Sequence, residues 1–193
     1  MKRFSITLVL GFIACFVLSA QEHIKIKNIP IDGTASSLSA KLRATGLTKH
    51  PEYPDGSVLK GPFAGMSDCV FVIAGSKTSK TAFRVGVMTD EYKSWLSVKN
   101  QYENIVDSYA KKYSLYASHS TFLSPYFEGD GYEMQALGKE KCIYSSLFEA
   151  PGGTVTIEIK GNGNFAYIYI MYEDNENFQI AKREQEVEIS DDI

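Results

Sequence analysis

CIYSSLFEAPGGTVTIEIKGNGNFAYIYIMY, residues 142–172, decides the class of fold. Three runs rich in Val, Ile, Tyr and Phe (Cys142 to Glu149, Thr154 to Lys160, Phe165 to Tyr172) are parted by Pro151-Gly152-Gly153 and Gly161-Asn162-Gly163-Asn164. Turn-forming residues between β-prone runs predict a three-stranded antiparallel meander. Side chains alternate across a strand, so Val155, Ile157 and Ile159 share one face and Thr156, Glu158 and Lys160 the other. In the last run Tyr167 and Tyr169 face opposite to Ile168, Ile170 and Tyr172.

Upstream, Val58 to Ala64 reads as a strand that Pro62 confines to an edge or a bulge. Cys69 to Ala74 and Thr81 to Met88 form a hairpin around Gly75-Ser76-Lys77-Thr78-Ser79-Lys80. Two helical patterns stand beside these strands. Thr34 to Thr45 carries Leu38 and Leu42 one turn apart, with Asp32 or Thr34 to cap it and Gly46 to end it. Glu91 to Tyr113 repeats Trp95, Val98, Tyr102, Ile105, Tyr109 and Tyr113 at spacings of three and four, a core-facing stripe, with Asp90 as N-cap. Ile24, Ile26 and Ile29 suggest a short first strand, and His50 to Gly56 a loop. Ser114 to Lys139 shows little periodicity and reads as a long connection holding a short helix at most. Asn177 to Glu186 is a terminal helix candidate, and Glu184 to Asp192 an acidic, frayed end. The sum is an α+β fold: antiparallel strands with two main helices packed on one face. Strands leading into a helix occur twice, an echo too faint in its residues to establish duplication.

The N-terminus gives an address. Lys2 and Arg3 precede the uncharged, mostly apolar stretch Phe4 to Leu18, and Ser19-Ala20 supplies small residues for cleavage. That order is a secretory signal peptide, which assigns residues 1–20 to the signal, 21–183 to a single domain and 184–193 to the tail. Phe12-Ile13-Ala14-Cys15 offers a lipid anchor through Cys15 as the minor alternative. No later stretch is long and apolar enough to span a bilayer. Without the signal the chain carries 18 basic and 23 acidic residues. That balance gives no reason to expect nucleic acid as a partner.

Exported chains with two cysteines invite a disulfide, and Cys69 and Cys142 remain once Cys15 is removed. A bridge and two buried thiols are both open, because geometry decides. No catalytic residue is assigned. Nucleophile-elbow, phosphate-loop and dinucleotide motifs are missing, so no cofactor is expected, and His23, His50 and His119 lack metal-ligand spacing. Glu128, Asp130 and Glu133 in a Gly-rich loop are a weak candidate cation set, with a solvated turn as the plainer reading. Tyr167 and Tyr169, joined by Tyr144 if its strand presents it on the same side, could form a binding surface. The plainer reading has helices covering that face with the hydroxyls at its rim.

The order of parts resembles small exported proteins of unknown function from anaerobic Gram-negative bacteria. Val17-Leu18-Ser19-Ala20-Gln21, Ile29-Pro30-Ile31-Asp32-Gly33-Thr34, Phe63-Ala64-Gly65 before Cys69, Trp95, and Cys142-Ile143-Tyr144 carry the likeness. In layout it is also similar to β-lactamase-inhibitor-like domains, which set helices on one face of an antiparallel sheet. The resemblance implies a compartment and a fold type and supplies no active site. The expectation is a periplasmic or secreted, non-enzymatic binding module with a protein or glycan partner. The alternatives are an envelope hydrolase using dispersed carboxylates and a structural accessory subunit.

Overall fold

The computed structural model describes residues 22–191, so the expected signal peptide and the lipid-anchor alternative at Cys15 lie outside the described residues. The described elements are β1 (Lys25–Ile26), β2 (Ile29–Pro30), α1 (Ala35–Arg43), β3 (Thr48–Lys49), β4 (Val58–Phe63), β5 (Met66–Gly75) and β6 (Ala82–Met88). Then follow α2 (Trp95–Ala110), β7 (Ser114–Phe122), α3 (Glu133–Gly138), β8 (Cys142–Ala150), β9 (Gly153–Gly161), β10 (Ala166–Asp174) and α4 (Asn175–Asp191). β1 and β2 form a small hairpin turned by Lys27 and Asn28, both at positive φ.

The other eight strands make one antiparallel sheet in the order β3-β4-β5-β6-β10-β9-β8-β7. That order reads as two four-stranded meanders, each preceded by a helix, meeting at the β6–β10 pair. The repeated architecture is therefore real at the level of topology, although too few residues match to reveal it in the sequence.

α1 and α2 pack on the same face. Leu38 and Leu42 of α1 are fully buried, and Leu47 just beyond it lies against Gly61 of β4, where a Cβ would come within 2.7 Å of the leucine. Thr34 caps α1 by accepting the Ser37 N–H at 3.2 Å, as the sequence predicts. α2 is shorter than predicted. Its N-cap is Ser94, which accepts the Ser97 N–H at 3.3 Å, in place of Asp90. Its stripe does face the core: Trp95, Val98, Tyr102 and Ile105 are buried. Tyr102 Oη and Ser146 Oγ are 2.7 Å apart, and the Tyr109 and Tyr172 hydroxyls are bonded. Beneath the helices lie Leu59, Phe71, Val85, Val87, Ile168, Ile170, Val155, Ile157 and Phe148, one continuous core.

Three expectations need correction. Residues 114–122 form β7, a full edge strand, where a loop was expected. An edge strand pairs on one side only and seals neither face here, so Ser114 to Phe122 shows no apolar alternation. The acidic end is helix through Asp191: Glu184 accepts the Thr78 N–H at 2.8 Å and Glu188 pairs with Lys77 on the β5–β6 turn. Cys69 and Cys142 are free and buried. β6, β10 and β9 stand between their strands, a separation of about 19 Å at about 4.8 Å per step. A disulfide needs Cα atoms within about 7 Å. Burial instead pushes the Cys69 thiol up to about 11 and the Cys142 thiol up to about 12.

The chain's two ends are tied together by Asp174, whose side chain is fully buried. It accepts the Ile24 N–H at 3.2 Å and the Asn177 N–H at 3.0 Å, and its Oδ2 lies 3.0 Å from His23 Nδ1. Asn177 in turn donates to the Ile31 and Ala82 carbonyls at 2.9 Å each. Every bond in this clamp satisfies a group that burial would otherwise leave unpaired.

Candidate binding surface

β10 alternates between buried and half-buried residues throughout and β9 does so as far as Ile159, which marks a sheet sealed on one face and partly open on the other. The registers sort the open face into rows running across the strands. One row is Val58, Val72, Gly86, Met171, Thr156, Leu147 and Ala117. The next is Lys60, Val70, Met88, Tyr169, Glu158, Ser145 and His119. On one side of these lies a charged row, in which Arg84 Nε donates to Glu173 at 2.9 Å. On the other lie Tyr167, Lys160 and, across a break, Ile143.

α4 covers only the charged end, where the Phe178 ring sits 5.6 Å from the Arg84 guanidinium. The middle rows stay partly accessible: Val72 is 37% exposed, and Val70, Met88, Tyr169, Met171 and Leu147 are half-buried. The expectation that helices cover the Tyr167 and Tyr169 face is thus overturned, because both main helices lie on the opposite side.

Tyr169 is the anchor of this surface. Its ring lies across Gly86 of the neighbouring strand, where a Cβ would come within 2.7 Å of the ring carbon Cε2. Glycine on β6 and an aromatic on β10 complete each other, since the ring covers backbone that a side chain would otherwise shield. Burial raises the Tyr169 pKa, and the neighbouring Glu158 and Tyr167 raise it further against Arg84 and Lys160. The hydroxyl stays protonated at neutral pH and can both donate and accept.

Tyr144 does not join this surface. It points to the helix-covered side, its ring 5.0 Å from Trp95 and 5.9 Å from Tyr102, and its hydroxyl donates to Glu128 at 3.1 Å. Ser145, one residue along, takes the place on the open face expected for Tyr144, because a single step reverses side-chain direction.

The break in the rows was not foreseen. β8 and β9 pair from Ala150↔Gly153 as far as Ser145↔Glu158, and there the ladder stops. Beyond it Cys142–Tyr144 pair only with β7 and Ile159–Gly161 only with β10. The split opens a cleft of about 400 Å³. Ser145, Glu158, Lys160 and Tyr167 form its rim, and Leu137, Tyr144 and Ile159 its floor. α3 closes it from below. Its last residue, Gly138, meets the β9–β10 turn backbone to backbone, a Cβ there falling 2.6 Å from Gly163 N, while Leu137 packs on Gly161.

The three loop carboxylates do not converge. Glu128 pairs with Lys99, Asp130 accepts the Phe127 and Tyr132 N–H groups at 3.1 and 2.7 Å, and Glu133 accepts the Gly129 N–H at 2.9 Å. They shape the turn from inside. Among the described residues no three His, Cys, Asp or Glu side chains gather as a metal site would require. The carboxylates whose pKa is displaced, Asp55, Glu128 and Glu184, are all held low by hydrogen bonds or, for Glu128, chiefly by Lys99.

Among the described residues no helix is long and apolar enough to cross a membrane. Comparison with known proteins found no matching family model, curated protein or solved structure.

Proposed function

We propose that the chain is an exported, non-enzymatic binding module that takes its partner on the open face of the sheet. One observation carries this reading: beyond the charged end that α4 covers, the second face of an eight-stranded sheet, with Val70, Val72, Met88, Tyr169, Met171 and Leu147 in adjoining rows, lies opposite both main helices. Apolar and aromatic residues flanked by ion pairs (Arg84–Glu173, Lys60–Asp68) are the layout of a recognition surface.

The test is capture from the envelope of the exporting cell, by cross-linking and on a glycan array, with the wild-type chain and with Met171→Glu and Tyr169→Ala. A partner retained by the wild type and lost by both variants is expected. Capture that ignores both substitutions overturns the assignment to this face. A second reading, an accessory subunit docked in an envelope complex, is favoured by the exposed Leu123, Phe127 and Tyr132 on the loop before α3. It predicts that Phe127→Ser, and neither open-face variant, releases the partner.

A further inference from the structure

We propose that the cleft between β8 and β9 binds one neutral sugar residue of a glycan. This deepens the open-face reading and rests on it, since the cleft opens on that face beside Tyr167.

The cleft exists because two strands separate before they end. Where the ladder stops, each strand keeps its outer neighbour, so the N–H and C=O groups that β8 and β9 turn toward each other have no strand partner. Donors and acceptors therefore line both walls. The rim adds more of both kinds: hydroxyls from Ser145 and Tyr167, carboxylates from Glu158 and Glu140, and the Lys160 ammonium. At about 400 Å³ the cleft has the size of a small-molecule site.

Charge disfavours an anionic ligand. Lys160 and Glu158 already hold each other at 2.9 Å, so neither offers an uncompensated charge, and Glu140 repels an anion. Paired in this way they present fixed acceptors and donors suited to alternating hydroxyls. Tyr167 lies directly across from Lys160 and offers a ring against which the apolar side of a sugar can rest. A third peptide strand fits less well. Its side chains would alternate up and down, and the lower positions are filled by Leu137, wedged against Gly161 by α3.

The experiment is an amide-resolved NMR titration of the purified protein. The probes are the methyl glycosides of glucose, galactose, mannose and N-acetylglucosamine, with N-acetyl-alanyl-alanine amide as the peptide arm. At least one glycoside is expected to shift the amides of Ile143–Ser145 and Glu158–Lys160 saturably. Tyr167→Ala and Glu158→Gln should each weaken that binding by about tenfold or more, equivalent to about 1.4 kcal/mol, while distant resonances show an intact fold. Shifts from the dipeptide alone, from no probe, or unchanged affinity in Tyr167→Ala overturn the proposal. If the cleft stays silent while Met171→Glu still releases an envelope partner, the cleft assignment fails and the binding-module reading stands.

Discussion

The two halves of the sheet are built to the same plan and finished differently. In the first, strands of two, six, ten and seven residues pair from β3 to β6, with one register shift in each of the two ladders β4–β5 and β5–β6. Its outer edge is only Thr48-Lys49, with Pro51 two residues on, a short edge carrying a charge. In the second, all four strands have nine residues, with one register shift, in β7–β8. Yet here two inner strands part company, and the outer edge, β7, runs from Ser114 to Phe122 with no Lys, Glu, Asp, Arg or Pro. Uniform strand length thus goes with an incomplete ladder and an unguarded edge. The open face spans both halves, while the split ladder and the long uncharged edge belong to the second alone.

The sharpest way to break this comparison is to ask whether the halves are one cooperative unit. Phe71 in the first half and Phe148 in the second are both fully buried in the shared core. Phe71→Ala and Phe148→Ala should each cost about 3–5 kcal/mol, and each should shift a single urea transition seen by both tryptophan fluorescence and circular dichroism. Trp95 reports from α2, over the second half, so a Phe71→Ala transition that splits between probes would show the halves melting separately.

Alkaline titration gives a smaller effect that should weigh on both halves. Burial raises the thiols of Cys69 and Cys142 to about 11 and about 12 and the Tyr109 hydroxyl to about 12, and it raises Tyr102 and Tyr172 as well. For an acid held protonated by the fold, the unfolded chain loses its proton first. Stability contributed by these groups is therefore intact below pH about 8 and falls as pH rises through the ordinary thiol and phenol range. Urea midpoints measured from pH 7 to 10.5 should decline throughout the upper part of that range; a flat profile would mean these side chains are not sealed from water.

The smallest expected effect tests the unguarded edge. His119 is exposed on β7 and faces the open side opposite Ser145. His119→Lys should leave stability within about 0.5 kcal/mol yet lower light scattering at high protein concentration, because a charge on an edge strand opposes strand-to-strand association. Equal scattering from wild type and variant would show that β7 is already protected.

What the sequence disclosed follows from how local each signal is. The parity of Val155, Ile157 and Ile159 and the sidedness of Tyr167 and Tyr169 need only a period of two, and both are present in the structure. The Trp95-to-Ile105 stripe needs only a period of 3.6. Three things needed strand order, which no local pattern encodes. Cys69 and Cys142 could not be separated without knowing that β6, β10 and β9 intervene. That α1 and α2 share one face was expected from the sequence; which face they take, and so that Tyr167 and Tyr169 lie on the other, was not legible there. The cleft depends on where a ladder stops, and Ser145 and Tyr144 look alike in a run that reads as uninterrupted strand. Gly138 and Gly161, beside the break, were the available signal: their missing Cβ atoms admit α3 and Leu137.

One consequence of the strand order concerns the timing of folding. β10 occupies the middle of the sheet but is the last strand to be synthesised and delivered, and Asp174 at its end holds residues from both extremities. Until that segment arrives, β6 and β9 each present a bare flank, and the first meander has no neighbour on its inner side. A chain that emerges from synthesis amino end first must therefore stay open for almost its whole length, exposed to stray pairing until a final insertion draws the two meanders together.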